Sequence, residues 1–531
     1  LAIRALPTIE SLSLRQLIGQ MIVVRSSGHL FDGERLYPQW EADQQTLQTW
    51  IQEFAVGGVI LLGGSAAEIS LKTQQLQAWA EIPLLIAADI EEGVGQRFAG
   101  ATWFPPPMAL AAIWRDDPQQ AIALAEQMGE ITAKEALSIG VNWILAPVMD
   151  VNNNPANPVI NVRAFGETPA EVADLGAAFI RGANKYAALT TAKHFPGHGD
   201  TAMDSHLSLP TIPHDLERLQ QVELPPFQAA IASGVDTVMT AHLMISALDT
   251  DRPATLSPNI LTDLLREQLH FDGLIVTDAL MMAGVTTFAD PAEVAVLAIE
   301  AGADILLMPP DVEGAIAAVE QAIITGRLTQ ERIQQSVTRI WQAKQKLQTD
   351  QPPTFPQAIA TTATQPIVQK ILTQSQQTNH QPCYLPQYHD QPAQNLIIVD
   401  SFLKSDFLKP NCPAIAIPQQ QGYQPQILEL RQLQHFNLEK IPTVVQLFTR
   451  GNPFTGTLGN PNNLLKDIGQ QTELLAILIY GTPYFLPKTF QYHSDIPCLF
   501  SYGQMAIAQT ELCKALWAKN KTQTSNSQEF T

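Results

Sequence analysis

The sequence predicts an α/β protein, a (β/α)8 TIM-type barrel followed by a smaller α/β sandwich domain. Three observations carry this. Eight short apolar runs recur along the first two thirds of the chain. Amphipathic stretches of helical period separate them. A proline-rich break near residue 351 then divides this pattern from a second texture, richer in Gln and Pro and poorer in charge.

The runs are Met21–Arg25, Val59–Leu62, Leu84–Ala88, Trp143–Val148, Thr190–Lys193, Thr237–Ala241, Leu274–Thr277 and Ile305–Met308. Unbroken apolar runs of this length suit strands buried on both faces of a parallel sheet. Between them, Ala121–Ile139, Pro169–Ala187, Pro291–Ala301 and Val312–Thr325 read as helices. Eight such units indicate a closed barrel, with an open doubly wound sheet as the competing arrangement.

A helix over Glu331–Leu347 is expected to close this domain, before Gln351-Pro352-Pro353-Thr354-Phe355-Pro356 stiffens a connector. The expected division is a catalytic barrel over residues 1–348, a linker over 349–364, a C-terminal α/β domain over 365–519 and a polar tail over 520–531. In the second domain, Leu396–Val399, Ala414–Ile417, Thr443–Leu447, Leu475–Ile479 and Leu499–Phe500 read as strands.

At 531 residues and 45% hydrophobic content, the chain is long enough for two cores. A formal charge of −20 argues against nucleic acid and anionic membrane surfaces as partners. The four cysteines all lie in the last third, at Cys383, Cys412, Cys498 and Cys513, without metal-type spacing, and read as buried thiols. No apolar run approaches the roughly 20 residues of a membrane span. Leu1-Ala2-Ile3-Arg4 opens no signal-peptide pattern, so the expected location is cytoplasmic, with export left open because the chain does not begin with Met.

One stretch has a composition that no ordinary core requires: Lys193-His194-Phe195-Pro196-Gly197-His198-Gly199-Asp200-Thr201, then Asp204-Ser205-His206. Asp204 and His206 sit two apart, close enough for a carboxylate to orient an imidazole for proton transfer. This stretch resembles the signature of family 3 glycoside hydrolases, in their bacterial β-N-acetylglucosaminidase branch. The segment Asp89 to Arg97 is similar to a second family motif, with Asp89, Glu91, Gly93, Gln96 and Arg97 in register and Ile90, Glu92, Val94 and Gly95 departing from it. Pro147-Val148-Met149-Asp150-Val151-Asn152 and Arg163-Ala164-Phe165 resemble a third, and Val276-Thr277-Asp278-Ala279-Leu280 a fourth.

The resemblance implies a retaining exo-β-N-acetylglucosaminidase that removes terminal β-linked N-acetylglucosamine (GlcNAc), typically from peptidoglycan fragments, with no cofactor and no metal. It makes Asp278 the nucleophile and His206 the acid/base, with Asp204 orienting His206. Asp89, Lys193 and His194 become ligands of sugar hydroxyls, and Arg97 and Arg163 further substrate contacts.

The residues also admit other roles. Asp89 and Asp278 at strand ends could cap helices. Arg163 could instead form a structural ion pair, with Asp150 as the candidate partner. His242, at the exit of the sixth strand, reads equally as a satisfied core residue and as pocket lining. His198, flanked by glycines, reads as a loop-stabilising residue, and Met281 and Met282 as apolar lining.

Other functions fit the same residue types. A glycoside phosphorylase would exploit a neutral His, which does not repel phosphate. A β-glucosidase of the same family differs only in the sugar. A metal-dependent hydrolase could draw ligands from His194, His206, His242 and Asp278. A catalytically silent sugar-binding protein would need none of the acid/base groups.

Overall fold

The computed structural model describes residues 5–201, 209–348, 353–359, 362–380, 384–402, 405, 407–435, 438–450 and 461–517. The chain divides into two compact units, Leu1–Val368 and Gln369–Thr531.

In the first unit, eight strands follow the apolar runs: β1 (Ile22–Ser27), β2 (Gly58–Leu62), β3 (Leu85–Ala88), β4 (Trp143–Ile144), β5 (Leu189–Phe195), β6 (Thr237–Thr240), β7 (Leu274–Val276) and β8 (Leu306–Leu307). They pair in parallel in the order β8-β1-β2-β3-β4-β5-β6-β7. A parallel bridge from Val276 to Ile305 joins β7 to the lead-in of β8, so the sheet returns on itself as a barrel rather than ending in open edges. The apolar runs are continuous because β3 and β5 are buried along their whole length, by the barrel interior inside and the helices outside.

The helices begin where the sequence supplies caps. Thr168 caps Pro169–Ala183 in a capping box with Glu171, and Asp117 and Asp290 cap helices that carry Pro in the first turn. Helix Gln330–Lys346 is tied to the foot of the barrel by buried Asp304, which accepts from Ser336 at 2.7 Å and from Arg266 at 2.7 Å.

The second unit holds a six-stranded sheet: β9 (Gln377–Thr378), β10 (Ala393–Val399), β11 (Tyr423–Glu429), β12 (Pro442–Phe448), β13 (Glu473–Tyr480) and β14 (Cys498–Ser501). Its order is β9-β14-β13-β12-β10-β11, parallel except for β9. Cys412, Cys498 and Cys513 are free and buried, and burial pushes the thiols of Cys498 and Cys513 up to about 12. Cys383 lies outside the described residues.

Ala414–Ile417 is not a strand. It lies in helix Pro413–Gln420, with Pro413 in the first turn and Ala414, Ile415 and Pro418 buried on one face. Four apolar residues fit either period, and the flanking Pro decides for the helix. The strand in its place is β11, whose polar Gln424-Pro425-Gln426 middle conceals it. β11 ends the sheet, where a Pro without an N–H is tolerated.

Candidate functional site

Most of the candidate residues and their neighbours sit where a barrel strand runs out into its following loop, the face on which barrels of this type carry function. Asp89 and Glu91 follow β3, Asp150 follows β4, Lys193 and His194 end β5, His242 follows β6, and Asp278 follows β7.

The pairing of β5 with β6 shifts register between Lys193 and Phe195. In a regular strand, neighbouring side chains point to opposite faces. At this irregularity both Lys193 and His194 find acidic partners from preceding strands. Lys193 is 1% exposed, and its ammonium lies 2.8 Å from Asp89 Oδ1 and 2.7 Å from Glu91 Oε1. Arg163 forks onto the same Glu91, Nε to Oε2 at 2.9 Å and Nη2 to Oε1 at 2.8 Å. Asp89, Glu91, Lys193 and Arg163 thus form one compact cluster of two anions and two cations.

The electrostatics follow from that packing. Burial raises the Glu91 carboxyl, but Arg163 and Lys193 outweigh it and hold the group well below the usual carboxylate range. Asp89 behaves likewise: burial pushes it up, Lys193 and Arg97 draw it down, and the net direction is down. Burial opposes the charge of Lys193, yet Asp89 and Glu91 keep the ammonium above its ordinary value.

His194 belongs to a second pairing. Its Nδ1 lies 2.8 Å from Asp150 Oδ2, and its backbone N–H donates to Oδ1 at 3.2 Å. Asp150 also accepts from the His198 backbone N–H at 2.7 Å. Asp150 is fully buried; burial raises its carboxyl, and His194 and His198 bring it down overall. An ionised Asp150 can only accept, so the proton of His194 sits on Nδ1, and Nε2 is the ring's remaining polar atom.

His198 places its Nδ1 2.8 Å from Thr201 Oγ1, while Asn157 donates to the His198 and Gly199 carbonyls at 2.8 and 2.9 Å. Burial lowers His198 to about 4, against the pull of Asp150, so it is neutral at pH 7. The charge of Asp278 also opposes the effect of burial on His198.

Asp278 is half-buried, and its Oδ1 accepts the backbone N–H of Ala279 at 2.7 Å. It does not cap the next helix, Ala283–Thr286, whose N-cap is Met282. Asp89 caps no helix either; Gly93 precedes the turn at Val94–Gln96. His242 places Nδ1 2.7 Å from Thr255 Oγ1 and Nε2 3.1 Å from the Ala279 carbonyl, so it props the root of the Asp278 loop. Arg97 is exposed, and its Nε donates to the Asp89 carbonyl at 2.9 Å.

Asp204 and His206 lie outside the described residues. The chain on either side is held together: His214 Nε2 lies 2.7 Å from Asp200 Oδ2, and Thr211–Ile212 pairs in parallel with Met244–Ile245.

The expected partner for Arg163, Asp150, is therefore taken by His194, and Glu91 serves Arg163 instead. Sequence reasoning left the role of Glu91 open. The available signal was its position two residues after Asp89 on a buried strand exit, where an anion requires a counter-charge. Chemically, the rim offers fixed donors and acceptors suited to ring hydroxyls, beside a half-buried carboxylate.

Comparison with known proteins places this architecture. Residues 13–343 match the glycosyl hydrolase family 3 N-terminal domain, and residues 387–518 match the bacterial glycosyl hydrolase family 3 C-terminal domain. A protein named β-hexosaminidase A from Pseudoalteromonas piscicida is 36% identical over 371 residues, covering 63% of this chain and 62% of its own length. A β-N-acetylglucosaminidase/β-glucosidase from Cellulomonas fimi is 33% identical over 318 residues, 58% of this chain and 55% of its own length. The chain thus spans less than two thirds of these curated relatives. Among solved structures, a family 3 β-N-acetylglucosaminidase from Paenibacillus sp. str. FPU-7 superposes with a TM-score of 0.75 at 28% identity, over 95% of this chain and 97% of that one. With a barrel and a second domain both matched over most of their length, the chain belongs to glycosyl hydrolase family 3.

Proposed function

We propose that this protein is a retaining exo-β-N-acetylglucosaminidase that hydrolyses terminal β-linked GlcNAc, with peptidoglycan fragments as the source. One observation carries the reading: Asp278 follows β7 at the same strand-exit end of the parallel barrel as the Asp89–Lys193–Glu91–Arg163 cluster and the Asp150–His194 pair. The names carried by the relatives support the sugar. The resemblance of Lys193–Thr201 and Asp204-Ser205-His206 to the β-N-acetylglucosaminidase branch supports the peptidoglycan source.

In this mechanism Asp278 attacks the anomeric carbon as His206 protonates the departing glycosidic oxygen, giving a covalent glycosyl-enzyme. His206, now neutral, takes a proton from water, whose oxygen attacks the anomeric carbon and releases Asp278. Asp204 keeps the imidazole in the required tautomer. A neutral imidazole near the intermediate, unlike a second carboxylate, does not repel an incoming anion. Lys193, His194 and Asp89 hold the ring hydroxyls, and Arg163 fixes Glu91 beneath Lys193.

The test is Asp278→Asn on an aryl β-N-acetylglucosaminide. Turnover is expected to vanish while the melting curve is unchanged, and the first sugar released by the wild type is the β-anomer by NMR. Retained turnover in the variant, or an α-anomer as first product, removes Asp278 from this role.

A further inference from the structure

We infer that the cavity between the exits of β1, β7 and β8 is the aglycone subsite, which takes the pyranose ring bonded to the terminal sugar through the scissile oxygen. This deepens the proposed function and rests on Asp278 as the reacting carboxylate. The cavity has a volume of about 480 Å³, and its walls include Arg25, Trp40, Glu41, Trp50, Met281 and Met308. That lies within the range of small-ligand sites and exceeds what one sugar ring needs.

Two links tie it to the chemistry. Met281 is three residues beyond Asp278, and three residues of chain reach no more than about 11 Å. Leu280 also donates its backbone N–H to the Leu307 carbonyl at 2.9 Å, fastening the Asp278 loop to the end of β8, whose next residue, Met308, lines the cavity. The distance between the reacting carboxylate and the cavity edge is therefore set by bonded structure.

The lining explains why a sugar fits. A pyranose presents an apolar C–H face and a rim of hydroxyls. Trp40 is 43% exposed, although an indole is among the groups most stabilised by burial. It is stacked on Tyr37 at a centroid distance of 5.6 Å and 22° between planes. The Arg25 guanidinium lies over Tyr37 at 5.1 Å and Trp40 at 5.9 Å, stiffening the pair into a platform. Arg25 Nη2 pairs with Glu41 Oε1 at 3.2 Å, so the charges cancel. A flat aromatic face beside a paired Arg25 and Glu41 matches the apolar C–H face of a pyranose with its hydroxyls at the edge.

The test compares Trp40→Ala with wild type on N,N′-diacetylchitobiose and on methyl N-acetyl-β-glucosaminide, whose aglycone is too small to reach the platform. The variant is expected to lose about three- to tenfold in kcat/KM on the disaccharide and nothing on the methyl glycoside. Equal losses on both, or none on the disaccharide, overturn the assignment. A second measurement does not depend on turnover: titration of diacetylchitobiose into Asp278→Asn, followed by tryptophan fluorescence, with and without Trp40→Ala. Loss of affinity with Trp40→Ala upholds the subsite even if the wild type cleaves neither substrate, which would sink only the proposed function. Unchanged affinity, or a dimer in sedimentation that Trp40→Ala dissociates, overturns the subsite.

Discussion

The carboxylate of Asp150 holds His194 at two points, the ring Nδ1 at 2.8 Å and the backbone N–H at 3.2 Å. That grip fixes both the position of the imidazole and the nitrogen that carries its proton. Asp150→Asn replaces an obligate acceptor with a group that also donates. A charge-assisted hydrogen bond is worth about 1.5–3 kcal/mol, so kcat/KM on an aryl GlcNAc glycoside should fall about ten- to a hundredfold. Steady-state kinetics beside a thermal melt will show whether the loss is in catalysis; a variant with full activity would show that the grip is dispensable.

Glu91→Gln leaves Lys193 and Arg163 with half their compensation. Breaking a buried ion pair from one side costs about 3–5 kcal/mol, and a denaturant titration should find a loss of that size. The pH dependence has a definite sign. Glu91 is held below its unfolded value, so its contribution is fully present above about pH 4.3 and is lost as pH falls through the folded value. The acid limb of the stability profile should therefore be shallower in the variant; an identical limb would mean Glu91 does not carry it.

His206→Ala separates acid catalysis from binding. An activated aryl leaving group needs little protonation, whereas a sugar alcohol needs much. The variant should lose far more rate on diacetylchitobiose than on a dinitrophenyl glycoside. Equal losses would remove the acid role from His206.

Lys344 sits away from this chemistry, in helix Gln330–Lys346. Burial draws its ammonium down to about 7, and Nζ donates to Gln20 Oε1 at 2.7 Å. Below pH 7 it is charged in both folded and unfolded chains, and the full burial penalty applies. Between about 7 and 10.4 the unfolded chain holds more protons, so stability rises with pH. Lys344→Met should stabilise the protein at pH 7 by about 1–4 kcal/mol and flatten that rise. A melt series from pH 6 to 10 checks both; a destabilised variant would show that the Gln20 contact outweighs the buried charge.

The barrel was legible because both faces of its strands are buried, which writes each strand as an unbroken apolar run such as Leu84–Ala88. The second unit was less so. Edge strand β11 needs only partial burial, so Gln424-Pro425-Gln426 carries no apolar signal, and Ala414–Ile417 is too short for its period to speak. Strand-end position and family motif pointed to Asp89, Lys193, His194 and Asp278. The partnerships were not readable: Arg163 and Glu91 are 72 residues apart, His194 and Asp150 44 apart. Which carboxylate meets which cation is decided by barrel closure, a three-dimensional fact that no local pattern encodes.

The balance of Asp89 and Glu91 against Lys193 and Arg163 has a bearing on ionic strength. A surface at −20 repels anions over a distance that salt shortens, but these four charges cancel one another at contact distance, and sugar hydroxyls offer no net charge for a long-range field to act on. Sugar affinity should therefore stay level as salt is added, and recognition reduces to short-range fit at the strand ends.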